Sequence, residues 1–314
     1  MLQTRSVTAS FAGPVAPLTS VAVSATSGTL FAGCWDKSVW SWSLSSRQPA
    51  RRFCGHGDFV KAVATFTLQG RQMLASASQD TTIMVWDTAT GDRLHTLKGH
   101  TRGILALAID PASYDASKAS VTLFSAGSDR EIRTWSIGLT SATEHPASPL
   151  IAHETSIDSI LFDTDGDLWT ASADKTAKCL SRIRAWGEDL ALDHPDFVRD
   201  VALDEDGGWV ITACRDEHVR VWDKASGRLH HTFSGHYDEV TALLLLPQQR
   251  VVSVSIDGTV RQWSLRAPDL AKAIQEAEEE RQGKQKEVEP EKKKEGIMTA
   301  EEEAELAELL EESE

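Results

Sequence analysis

The chain has 314 residues, 41% apolar and 25% charged, a length that is generous for one ordinary domain and well suited to a ring of repeats. Its formal net charge of −15 disfavours nucleic acid and anionic membranes, whose phosphates are held mostly by Lys and Arg. No run of 18 apolar residues predicts a membrane helix, and the opening MLQTRSVTASFAG lacks the apolar core of a signal peptide. Cys34, Cys54, Cys179 and Cys214 form neither a CxxC pair nor a zinc-finger spacing, which fits a reducing compartment, cytosol or nucleus.

From the N-terminus onward, an Asp followed six residues later by Trp recurs. The pairs are Asp36/Trp42, Asp80/Trp86, Asp129/Trp135, Asp216/Trp222 and Asp257/Trp263, and a further copy at Asp174 has Leu180 in the Trp place. Four residues before each Asp stands Ala32, Ser76, Ser125, Thr170, Thr212 or Ser253. Between 21 and 29 residues before the Asp stands His56, His100, His153, His194 or His236; Pro14 takes that place in the first copy. Apolar residues keep the same register, for instance Leu18, Val60, Ile104, Ile157, Val198 and Val240 at four after the His position.

Within each copy the runs read as strands. SVAVS, KAVATFTL, DSILFD and TALLLL come first; LASAS, LFSAG, VITAC and VVSVS come second and end in a turn at the Asp. TIMVWD, EIRTWS and VRVWD alternate with period two, and RRFCGH, RLHTLKGH and RLHHTFSGH form a fourth run. Four antiparallel strands in about 44 residues make one propeller blade, and such units must stack to bury both faces. His95, His230 and His231 fall on the outer strands and read as surface residues.

The sixth copy ends at Arg266 without a fourth strand. RSVTASFAGP (Arg5–Pro14) aligns without a gap to GRLHHTFSGH, placing Phe11 on Phe233, so Arg5–Phe11 is expected to run antiparallel to Thr259–Ser264 and close the ring. The domain division is then 1–266 and 267–314. The tail carries 8 basic and 17 acidic residues in 266–314. Leu270–Arg281 has helix character, Gly283–Glu295 is a solvated Lys/Glu run, and Thr299–Glu302 starts a short acidic helix. That helix is expected either to stay solvated or to dock on a basic or grooved partner surface.

The pairs Gly55-His56, Gly99-His100 and Gly235-His236, with Trp86-Asp87 and Trp222-Asp223, resemble the WD-repeat family over about residues 5–265. The resemblance implies an all-β propeller. Six four-stranded blades follow from the count; an open six-bladed ring completed by a partner's strands is the alternative. It also implies a buried hydrogen-bonded tetrad in each regular blade. Here these are His56–Ser76–Asp80–Trp86, His100–Ser125–Asp129–Trp135, His194–Thr212–Asp216–Trp222 and His236–Ser253–Asp257–Trp263. Copies one and four depart, at Pro14 and Ala32 and at Leu180.

The absence of GxxxxGK[ST], HExxH and GxSxG patterns, and the recurrence of the His–Ser–Asp sets beside a Trp, point away from catalysis and from any cofactor. Asp163, Asp165, Gly166 and Asp167 resemble part of a calcium loop but lack its distal Glu, so a turn is expected and no metal. The function expected is a protein-protein interaction scaffold or adaptor in a multiprotein complex. The alternative is a non-catalytic regulatory subunit of an enzyme complex, for example RNA-modifying or ubiquitin ligase. Residues just before the repeat Asp and just after the His share one solvent rim. The expected partner contacts there are Trp35, Phe59, Gln79, Phe197, Arg215, Tyr237, Glu239 and Ile256, in blades five, six, one and two. The competing expectation for the aromatics is sideways packing between blades.

Overall fold

A computed structural model describes residues 10–113 and 119–275. Blade one comprises β1 (Leu18–Ser24), β2 (Thr29–Cys34), β3 (Ser38–Ser43) and β4 (Pro49–Cys54). Blade two is β5 (Val60–Leu68), β6 (Arg71–Ser78), β7 (Thr82–Asp87) and β8 (Arg93–Lys98). Blade three is β9 (Ile104–Ile109), β10 (Ser120–Gly127), β11 (Ile132–Gly138) and a short β12 (Ala142–Glu144). β13 (Ile157–Phe162), β14 (Leu168–Ser172), β15 (Thr176–Ser181) and β16 (Gly187–Asp193) form blade four. β17 (Val198–Asp204), β18 (Trp209–Cys214), β19 (Val219–Asp223) and β20 (Leu229–Phe233) form blade five. Blade six has β21 (Val240–Leu246), β22 (Arg250–Ser255) and β23 (Val260–Ser264).

Each blade is an antiparallel meander, so the molecule is a six-bladed β-propeller. The first strands of successive blades pack on one another, β1 on β5 through to β17 on β21. Two of these junctions are tied by side chains of equivalent position. Val63 N donates to Ser20 Oγ at 2.9 Å and Leu243 N to Asp200 Oδ2 at 2.7 Å. Between blades the core is apolar: Ile83, Ile104, Leu123 and Ile137 pack together at the junction of blades two and three.

Among the described residues blade six has three strands. The expected outer strand Arg5–Phe11 lies outside them except for Ser10 and Phe11, which belong to no strand. The junction of blades six and one differs from the other five. Val39, Ile83, Ile132, Ala177 and Val219 are fully buried, whereas Val260, their counterpart on β23, is 64% exposed. Val21 on β1 is likewise 61% exposed, while its equivalents Val63, Ile160 and Val201 are buried. Blades one and six thus each leave apolar side chains exposed among the described residues.

Clustering of contacts divides the chain into two units, Met1–Leu265 and one beginning at Arg266. In the second, residues 267–275 are helical, and the expected Thr299–Glu302 helix lies outside the described residues. His231 is a correction to the surface reading. It is buried edge-on to Phe233 at 4.6 Å, because period two along β20 places 231 and 233 on the same face.

Candidate functional site: the polar tetrads and the rim above them

The meander places the β-turn Asp and the pre-strand His at one end of each blade. In blade two, Trp86 Nε1 donates to Ser76 Oγ at 2.9 Å. An indole is a donor only, so the hydroxyl turns its proton to His56 Nε2, 2.8 Å away. The imidazole then carries its own proton on Nδ1 and donates to Asp80 Oδ2 at 2.9 Å, where Gly57 N also donates at 2.7 Å. Blade three repeats the set through Trp135–Ser125 at 2.8 Å, Ser125–His100 at 2.8 Å and His100–Asp129 at 2.9 Å. Blade six does so through Trp263–Ser253 at 2.8 Å, Ser253–His236 at 2.7 Å and His236–Asp257 at 3.0 Å.

Burial raises the Asp129 carboxyl, but the hydrogen bonds from His100 and from the backbone N–H groups of Thr101 and Glu131 outweigh it and hold it down at about 2. Asp80, Asp174 and Asp257 are depressed in the same way. The side chains of His56, His100 and His236 are at most 1% exposed, so no substrate reaches these His–Ser–Asp sets.

Blade five departs from the expected tetrad. Trp222 donates to Thr212 Oγ1 at 2.9 Å and Thr212 meets His194 Nε2 at 2.7 Å, but His194 Nδ1 donates to the Leu192 carbonyl at 2.9 Å. Asp216 is bound instead by Arg220, with Nη1–Oδ1 at 3.0 Å. With no carboxylate hydrogen-bonded to it, His194 is pushed down to about 4 by burial and by the Arg220 charge, which outweigh the Leu192 carbonyl and the Asp216 charge. Blade four keeps His153–Thr170 at 2.7 Å and His153–Asp174 at 2.8 Å without a Trp; Leu180 is buried in its place. In blade one, which lacks both His and hydroxyl, Trp42 Nε1 donates to the Ala12 carbonyl at 2.8 Å. Asp36 there is held by Trp40 Nε1 at 2.8 Å and Arg52 Nη2 at 2.9 Å.

On the solvent side of these sets, Trp35 stacks on Phe59 across the junction of blades one and two, centroids 4.9 Å apart and 15° from parallel. Sideways packing and exposure coexist: Trp35 remains 43% exposed, Phe59 is half-buried, and Lys61 Nζ lies 5.7 Å from the indole centre. Gln79 is exposed beside them, its backbone N bonded to the Phe59 carbonyl at 2.9 Å. In blade five, half-buried Phe197 lies under exposed Arg215 at 5.1 Å and Arg199 at 5.8 Å. In blade six Tyr237 is 80% and Ile256 61% exposed, with Arg261 5.9 Å from the Tyr237 ring. Glu239 is a correction: it is half-buried and ion-paired with Arg199, which also binds Asp158 at 2.9 Å. Its reach is spent inside the ring. Lys61, Arg199 and Arg261, each one or two residues into a strand and charged among apolar neighbours, are the rim residues the sequence reading missed.

These features define a propeller built on tetrad-bearing blades. The family model "WD domain, G-beta repeat" matches residues 5–43, 47–87, 91–136, 190–223 and 227–264, and the chain belongs to the WD-repeat family. The model passes over blade four, the copy with Leu180 for Trp. The chain is 33% identical over 240 residues to an uncharacterized WD repeat-containing protein of Schizosaccharomyces pombe, covering 75% of this chain and 62% of that one. It is 30% identical over 200 residues to nuclear distribution protein nudF of Aspergillus niger, covering 62% and 42% respectively. To a ribosome biogenesis protein WDR12 homolog of Anopheles gambiae it is 26% identical over 278 residues, covering 79% and 62%. It thus spans less than two thirds of these relatives. Among the described residues no helix is long and apolar enough to cross a membrane.

Proposed function

We propose that this propeller is a non-catalytic scaffold of a multiprotein complex, seating a protein partner on the rim formed by blades five, six, one and two. The observation that carries the reading is the Trp35–Phe59 stack, open to solvent at 43% for the indole and bordered by Lys61 and Gln79. Arg215 over Phe197, and exposed Tyr237 and Ile256, extend the apolar and cationic character to blades five and six. Aromatic and Arg side chains of this kind dominate interface energetics, the aromatics because each buries much area at small entropic cost and Arg because its planar guanidinium stacks and hydrogen-bonds at once. Relatives whose names carry ribosome biogenesis and nuclear distribution favour a place in an assembly, in the nucleus or cytoplasm. The acidic tail offers a second, electrostatic contact to a basic partner surface.

The test is affinity purification of the tagged full chain with mass spectrometry, beside the double variant Trp35→Ala with Tyr237→Ala. Loss of the same stoichiometric partner with an unchanged melting temperature supports the reading. Retained capture places the partner elsewhere. A stoichiometric enzyme among the captured proteins would turn the reading to a regulatory subunit of that enzyme.

A further inference from the structure

At the opposite end of the meander the hairpin turns of blades four and five enclose a cavity of about 490 Å³. Asp163, Asp165, Asp167, Asp189 and Asp223 line it, with Trp169, Cys179 and a single cation, Lys224. The turn 163–167 is built as expected, with Asp163 N bonded to the Asp167 carbonyl at 3.0 Å and Gly166 at φ 85°. Asp163 Oδ1 accepts from Asp167 N at 2.8 Å and Asp167 Oδ1 from Arg182 N at 2.7 Å, whereas Asp165 is exposed. Asp163 Oδ2 accepts from Trp169 Nε1 at 3.2 Å and lies 3.2 Å from Lys224 Nζ, which is held more closely by Glu205 at 2.7 Å.

The Cys179 thiol also faces this cavity and is 95% removed from solvent, at 5% exposure. The buried thiols of Cys34 and Cys214 donate to the carbonyls of Ala16 and Asp196, at 3.5 and 3.4 Å. The Cys179 thiol makes no hydrogen bond to any described residue. Its Sγ and the carboxylate oxygens of Asp163 and Asp167 lie within 4.8 Å of one another. His100, Asp129 and Glu131 approach equally closely, but His100 and Asp129 pair within the blade-three tetrad and the Glu131 carboxylate is taken by Arg133.

We propose that Asp163, Asp167 and Cys179 form a site for a thiophilic divalent cation of the zinc type, with the fourth position open to the cavity. One sulfur and two carboxylates suit a borderline-soft ion that accepts four ligands; calcium and magnesium take oxygen alone. Charge supports the same occupant. Lys224 is the cation lining the cavity, and a thiolate with two carboxylates balances a divalent ion plus the Lys224 ammonium. Binding deprotonates Cys179, and the proton leaves to solvent. Lys224 stays on Glu205 and releases Asp163. The hydrogen bond from Trp169 places a fluorophore on a ligand.

The probe is Cd2+ or Zn2+ alone, titrated into the full chain carrying Cys54→Ser, which removes the exposed thiol. One equivalent is expected, with a thiolate-to-cadmium band in the ultraviolet and altered Trp fluorescence. Cys179→Ser abolishes the band and weakens binding at least tenfold. Lys224→Met, which removes the competing cation, strengthens binding several-fold, an effect a merely structural cluster does not give. Melting curves of both variants report folding independently. Binding without the thiolate band, or a band that survives Cys179→Ser, overturns the proposal, as does a Lys224→Met chain that folds and binds no more tightly.

Discussion

Pro195 stands where the other His-bearing blades offer a backbone N–H to the turn aspartate, and Asp216 turns to Arg220 instead. Gly57, Thr101, Glu154 and Tyr237 each donate from the residue after the His, at 2.7 to 3.1 Å. Proline has no such proton. The carboxylate that loses its backbone donor is the one that leaves the imidazole.

A double-mutant cycle tests that exchange. Arg220→Met strands the largely buried Asp216 and is expected to destabilise by roughly 1–3 kcal/mol in urea unfolding. Combined with Pro195→Ala, which restores an N–H, the loss shrinks by about 1 kcal/mol. Strict additivity would show that Pro195 does not steer Asp216.

The pH dependence of stability follows from His194. Its folded value of about 4 lies below the ordinary 6.5, so the unfolded chain takes up the proton first. The stabilisation is present above pH 6.5 and is lost as the pH falls toward 4, by roughly 3 kcal/mol at most. Urea midpoints measured from pH 7 to pH 4 should fall along this window, and His194→Gln should flatten that part of the slope. A slope unchanged in His194→Gln assigns the effect to another group.

Trp86→Phe removes the only donor that fixes the Ser76 proton toward His56. A loss of about 1–3 kcal/mol is expected, because a buried hydroxyl oxygen is left unsatisfied. Thermal melts showing no change would mean that Ser76 is satisfied by another donor.

The exposure of Val260 predicts unequal tolerance at equivalent positions. Val260→Asp should shift stability by no more than about 0.5 kcal/mol, as an exposed substitution does. Ile83→Asp, at a fully buried equivalent, places a charge in an apolar junction and should cost several kcal/mol. Severe loss at Val260→Asp would show that this position is covered in solution, as closure by Arg5–Phe11 requires.

What the sequence determined by itself is periodic. The Asp-to-Trp interval of six, the hydroxyl four before the Asp and the apolar register are local spacings, fixed by strand and turn geometry, so six blades could be counted even where blade four lacks its Trp. Even the Asp216 exception was written there as Pro195. Tertiary structure alone decided which donors meet which acceptors across long separations. Trp42 satisfies its indole on Ala12, 30 residues away, because Ala32 offers no oxygen. Cys179 meets Asp163 and Asp167 because β15 pairs with β14, placing the thiol beside the β13–β14 turn of the same blade. Glu239 was read as a rim contact, and Arg199, 40 residues earlier on the neighbouring blade, drew it inward. Such pairings depend on how blades stack, and a repeat spacing carries the fold of a blade but not the identity of what lies across from it.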